Sequence, residues 1–105
     1  MLIELLYFDG CPSWRAALEN LKVALGVERL QAEIRLVRVE DDAKAARVKF
    51  LGSPSFRVNG VDLWPEARKR YDLSCRVFNT PAGMKSAPTV EMLRKKLRAQ
   101  SPKNF

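Results

Sequence analysis

The chain has 105 residues, enough for one domain built on one hydrophobic core. Apolar residues make up 47% and charged residues 30%, which excludes a disordered chain, and no stretch approaches the roughly 18 apolar residues of a membrane span. The net charge is +7 and histidine is absent, which removes Cys-His and Ser-His catalysis together with the commonest zinc ligand.

Residues 2–8 are almost unbroken apolar sequence, the pattern of a central strand buried on both faces. Gly10 punctuates it. Pro12 suits the first position of a helix, because its fixed φ is already helical and its missing N–H would be unbonded there. Cys11 is thereby expected at or beside a helix N-cap, where unpaired backbone N–H groups and the helix dipole stabilise a thiolate. The alternative role for Cys11 is a plain buried cysteine packed as a small hydrophobe.

The helix that follows carries Trp14, Leu18, Leu21 and Leu25 on one face, with Arg15, Glu19 and Lys22 on the others. Gly26 marks its C-terminal end. Residues 34–39 alternate apolar and basic side chains and read as a half-buried strand, parallel to the first because a helix connects them. Asp41 and Asp42 start a second helix, whose buried face is expected to be Ala43, Ala46 and Phe50. Gly52 stands where its C-terminal cap belongs, and Pro54 forbids continuation. Residues 55–58 are a third strand, Asn59-Gly60 is a strong hairpin turn, and residues 61–64 pair back. Residues 65–87 read as irregular. Residues 88–99 form a last helix with Val90, Leu93 and Leu97 on one face, and residues 100–105 are a frayed tail. The expected architecture is one α/β domain over residues 1–99, in the order β-α-β-α-β-β-α, with a four-stranded mixed sheet flanked by helices.

Two cysteines 64 positions apart are too few for a disulfide-stapled scaffold, and in a reducing compartment such a pair is more often redox-active or ligand-binding. The start of the chain lacks the pattern of a signal peptide, so the expected location is cytoplasmic. Cys11 and Cys75 alone can bind a soft metal or metalloid ion such as Hg(II) or Cu(I), but cannot complete a structural zinc site. The charge is uneven. Residues 1–43 hold five basic and eight acidic side chains, for −3, and residues 44–105 hold fourteen and four, for +10. Arg68-Lys69-Arg70 and Arg94-Lys95-Lys96 are the densest clusters, with Trp64 and Tyr71 near the first, so an acidic partner on the basic C-terminal half is a non-catalytic alternative. The second cluster lies at a helix C-terminus, where solvated cations are favoured, and no nucleic-acid motif accompanies it.

The position of Cys11 at the first strand-to-helix turn, with Gly52-Ser53-Pro54 just before the third strand, resembles the thioredoxin-like fold. The segments at residues 8–12, 52–60 and 73–76 are similar to those of small bacterial thioredoxin-like proteins. The resemblance implies that Cys11 is the nucleophilic cysteine, that Pro54 is a cis-proline opposite it, and that Ser53 offers its backbone to an incoming substrate strand. Pro12 and Trp14 are expected to border the same site, with Trp14 either a flat apolar wall for substrate or, by its helical spacing with Leu18, a core or half-core residue. The motif departs from the family's Cys-x-x-Cys, because Cys11-Pro12-Ser13-Trp14 lacks the nearby resolving thiol. Cys75 is the candidate replacement: the hairpin returns Trp64 and Pro65 to the Cys11 end of the sheet, and Cys75 follows ten residues beyond Pro65. The alternative for Cys75 is packing under its loop beside Leu73 and Val77. The activity implied is thiol–disulfide exchange on a protein or small-thiol disulfide, without a cofactor. A one-cysteine mechanism using glutathione is the neighbouring possibility, against which stands the missing Gly-Gly of glutaredoxins. Asp9, Arg15, Arg57 and Arg76 are candidates to tune the thiolate, the arginines by lowering its pKa and Asp9 by raising it, and the alternative for each is a solvated surface charge.

Overall fold

The computed structural model describes residues 1–100. Its elements are β1 (Leu2–Tyr7), α1 (Trp14–Val27), β2 (Glu33–Arg38), α2 (Asp42–Val48), β3 (Ser55–Val58), β4 (Val61–Asp62), β5 (Phe78–Thr80), β6 (Gly83–Lys85) and α3 (Val90–Gln100). The main sheet has four strands in the order β2-β1-β3-β4. β1 pairs in parallel with β2, Ile3 against Ile34, and antiparallel with β3, where Leu5 faces Phe56 and Leu6 faces Ser55. The fold is therefore mixed α/β, with a four-stranded mixed sheet and three helices.

The apolar run of β1 serves both faces of the sheet. Ile3 and Leu5 join Phe56 and Val58 of β3 in the main core, closed by Ala17, Leu21 and Ala24 of α1 and by Leu93 and Leu97 of α3. Leu6 points the other way, into a smaller cluster with Val39, Ala45 and Phe50 beneath α2. Such two-sided burial explains why the strand shows no alternation.

Helix ends follow local chemistry. The Asp41 carboxylate caps α2 by accepting the Lys44 N–H at 2.8 Å. Thr89 caps α3 by accepting the Met92 N–H at 3.1 Å. α2 closes on Lys49, at φ 55°, and not on Gly52. Its buried side chain is Ala45, whereas Ala43 and Ala46 are exposed and Phe50 packs from just beyond the helix. In the β3–β4 hairpin Asn59 and Gly60 both have positive φ, 50° and 87°, as the two-residue turn requires.

Two features differ from the sequence expectation. Helix α1 begins at Trp14, with Ser13 as its N-cap residue, so Pro12 lies in the preceding turn and is not the first helical residue. Residues 65–87 are not wholly irregular: β5 and β6 form a separate antiparallel hairpin, Phe78 opposite Lys85, closed through Thr80-Pro81-Ala82-Gly83. Gln100, expected in the tail, closes α3, and the rest of that tail lies outside the described residues.

Candidate functional site

Strand polarity brings the site together. β1 ends toward Cys11, and β3, running antiparallel to it, begins at the same end, so Ser53 and Pro54 meet Cys11. The Ser53–Pro54 peptide is cis. Cys11 is 1% exposed. Its backbone N–H is bonded to the Phe8 carbonyl at 3.1 Å, and its thiol donates to the Ser53 carbonyl at 3.4 Å. The intervening turn keeps Cys11 off the end of α1, so its sulfur is held by a carbonyl and not by the helix's free N–H groups.

Cys75 reaches the same place from the long connection after β4. The Ser53 N–H donates to the Ser74 carbonyl at 2.8 Å, and the Arg76 N–H donates back to the Ser53 carbonyl at 2.8 Å, a parallel bridge that sets Cys75 opposite Ser53. Both cysteines are free thiols, Cys11 buried and Cys75 exposed. Residual burial, hydrogen bonding with Cys11 and the negative charge of Cys11 push the Cys75 thiol above its ordinary pKa, in that order of importance. The two sulfurs are thus neighbours that resist carrying two charges at once. Cys75 is not packed beneath its loop, since its neighbour Val77 is also exposed, 56%.

The strap of residues 73–76 is fastened by Arg76, which is 4% exposed. Its guanidinium lies 3.1 Å from both Asp62 carboxylate oxygens and 3.3 Å from Ser55 Oγ, and it donates to the Trp64 carbonyl. The Phe78 ring lies 5.5 Å below it. Further along, the Leu73 N–H donates to Asp42 at 3.0 Å. Gly52 permits the close approach: a Cβ there would stand 3.1 Å from the Arg76 backbone nitrogen, and its φ of +107° suits glycine alone. These tethers on Arg76, Asp62 and Gly52 belong to no motif. The nearest hint in the sequence is a lone arginine directly after a cysteine.

Several expected site residues take other places. Trp14 is 8% exposed and stacks on Tyr7, ring centroids 4.1 Å apart, so it is a core residue and not a wall for substrate. Pro12 is exposed in the turn. Pro54 is fully buried, and both backbone hydrogen-bonding groups of Ser53 are already engaged by the strap, leaving no free edge for an incoming strand. Ser53 Oγ is buried and has no partner among the described residues. The charges expected to tune the thiolate are otherwise occupied. Asp9 pairs with Arg38 at 2.8 Å, Arg15 lies over Trp14, Arg57 caps the last carbonyls of α2, and Arg76 is matched by Asp62.

The basic half is also partly neutralised. Arg94 binds Glu28 at 2.7 Å and Glu91 at 2.5 Å, Arg68 pairs with Glu66, and Lys96 lies over the Trp64 ring. No group of three or more acidic or cysteine side chains placed to hold a metal ion occurs among the described residues, and no helix there is long and apolar enough to cross a membrane. No family model, curated protein or solved structure matches the chain.

The coupling of the two thiols has a measurable consequence. The labelling rate of Cys75 by iodoacetamide is expected to keep rising with pH beyond the range of an ordinary thiol, since only the thiolate reacts. Cys11→Ala removes a hydrogen bond and a like charge, both of which raise the Cys75 pKa, so the profile moves to lower pH. Peptide-mapped labelling rates across pH check this, and an unchanged midpoint contradicts the coupling.

Proposed function

We propose that the protein is a thiol–disulfide oxidoreductase of thioredoxin-like architecture, working through Cys11 and Cys75. The observation that carries the reading is the meeting of two free thiols at Ser53 from positions 64 residues apart in the chain. Support for the architecture comes from the strand order β2-β1-β3-β4, the mixed pairing and the place of Cys11 after the central strand. In the reaction one protein thiolate attacks a disulfide RS–SR, forming a mixed disulfide and releasing one thiolate. The second protein thiol, once deprotonated, attacks that mixed disulfide, the other thiolate leaves, and a Cys11–Cys75 disulfide remains. Two electrons pass from the protein to the substrate. A thiol pool running the same steps in reverse regenerates the dithiol, as the cytoplasm would allow.

The test is mass spectrometry of the full chain across a glutathione redox titration. One intramolecular disulfide, lost and gained along a two-electron curve, is the expected result. If neither thiol responds while circular dichroism shows an intact fold, the proposal is wrong.

A second reading is favoured by the same adjacency: two neighbouring free sulfurs suit two-coordinate binding of a soft ion such as Hg(II) or Cu(I). Under that reading each thiol titrates without closing a disulfide, and one equivalent of the ion protects both from alkylation.

A further inference from the structure

We infer that Cys75, and not Cys11, is the sulfur that exchanges with the outside, and that Cys11 is the internal resolving thiol. The inference rests on the thiol-exchange reading and reverses the order of attack that the resemblance implies.

Access decides the order. Thiol–disulfide exchange requires the entering sulfur to approach the attacked sulfur in line with the bond that breaks, so a covered sulfur cannot be the point of entry. Cys11 is 1% exposed and its thiol is turned to the Ser53 carbonyl. The strap that carries Cys75 is held beside Ser53 by the buried Arg76–Asp62 pair, by two backbone bonds to Ser53 and by the Leu73–Asp42 bond. Cys75, on that strap and next to Cys11, is exposed.

The chemistry follows in balanced steps. In the reduced protein the Cys75 thiolate attacks RS–SR, the S–S bond breaks, and one RS⁻ leaves. Cys11 loses its proton to solvent and attacks the Cys75 sulfur from within, the second RS⁻ leaves, and the Cys11–Cys75 bond forms. In the reverse direction an external thiolate attacks the exposed Cys75 sulfur and Cys11 departs as the leaving thiolate. The raised pKa of Cys75 slows the forward attack at neutral pH, while the reverse attack depends on access to a sulfur and not on that pKa. Because Ser53 has no free backbone edge, the partner is a small thiol or disulfide, or an exposed one that needs no strand pairing.

The experiment uses oxidised glutathione and iodoacetamide as probes. Reduced wild-type protein is given a substoichiometric pulse of iodoacetamide, and peptide mapping is expected to find Cys75 alkylated at least about tenfold more than Cys11. With oxidised glutathione, Cys11→Ala should hold a lasting adduct on Cys75, whereas Cys75→Ala should acquire one on Cys11 at least about tenfold more slowly. Preferential labelling of Cys11 in the wild type overturns the inference without relying on any variant. If the wild type still closes the Cys11–Cys75 disulfide in that case, the exchange reading stands and only the order of attack falls. If Cys75 is labelled first but no internal disulfide ever forms, the exchange reading falls and Cys75 remains the accessible thiol.

Discussion

Arg76→Met is expected to lower the unfolding free energy by about 3–5 kcal/mol, the cost of breaking a buried ion pair from one side. Methionine keeps much of the length and removes the charge, so the loss is electrostatic and not a large cavity. Asp62 would be left as a carboxylate 9% exposed, still accepting the Trp64 N–H at 2.7 Å but with its countercharge gone. The Trp64 carbonyl and Ser55 Oγ would lose a donor at the same time. Urea unfolding followed by circular dichroism measures the change. Asp62→Asn combined with Arg76→Met should recover part of it, because no buried charge then stands alone. The same substitution should loosen the strap locally, so Cys11 becomes alkylated faster under native conditions than in the wild type. A stability loss under about 1 kcal/mol would show that the pair does not fasten the strap.

The legible parts of this chain are those in which local chemistry decides the structure. The unbroken apolar run of β1, the Asp41 cap and the Asn59-Gly60 turn are local signals, and each element stands where its signal put it. The helical face of Trp14, Leu21 and Leu25 is equally local, and it is buried against the sheet as its spacing requires. Where a competing local solution existed, the boundary moved. Pro12 was compatible with either a helix start or a turn. The Cys11 N–H bond to Phe8 selects the turn, which shifts the helix to Trp14 and withdraws its N-terminus from the sulfur. α2 likewise closes one turn early because Lys49 takes the left-handed conformation, freeing Gly52 for the approach of Arg76.

The remainder depends on contacts far apart in sequence. β5 and β6 are three residues each, too short to show alternation, and only the Pro81-Ala82-Gly83 turn marks them. Strand polarity made Cys75 a candidate for that end of the sheet, since a fourth strand returning to the Cys11 end leaves the following segment near it. What strand polarity does not supply is which side of the segment faces inward. Arg76 is the residue that turns inward, against the usual exposure of arginine, because Asp62 waits beneath it on β4. Its neighbour Cys75 is turned outward as a result, since successive side chains of an extended segment point to opposite sides. The exposure of Cys75 thus goes with the inward turn of Arg76, while Cys11 is buried in the turn after β1.

Phe56→Ala provides the contrasting result, a loss of about 3–5 kcal/mol with no early exposure of Cys11. Phe56 is 0% exposed, faces Leu5 across the β1–β3 pairing and meets the Trp64 ring edge-on, with centroids 6.0 Å apart. Truncation leaves a cavity between the sheet and the helices of the main core, which can only partly collapse around rigid strand backbones. The backbone bonds from Ser53 to the strap, and the Arg76–Asp62 pair, are untouched by the change. Phe56→Ala should therefore unfold at lower urea concentration yet label at Cys11 as slowly as the wild type in native buffer. Arg76→Met, with a similar loss of global stability, should label at Cys11 distinctly faster. If the two variants label alike, access to Cys11 is governed by global unfolding and the strap is not a separate opening unit. If only Arg76→Met accelerates labelling, the strap opens by itself, and the buried ion pair controls when the inner thiol can be reached.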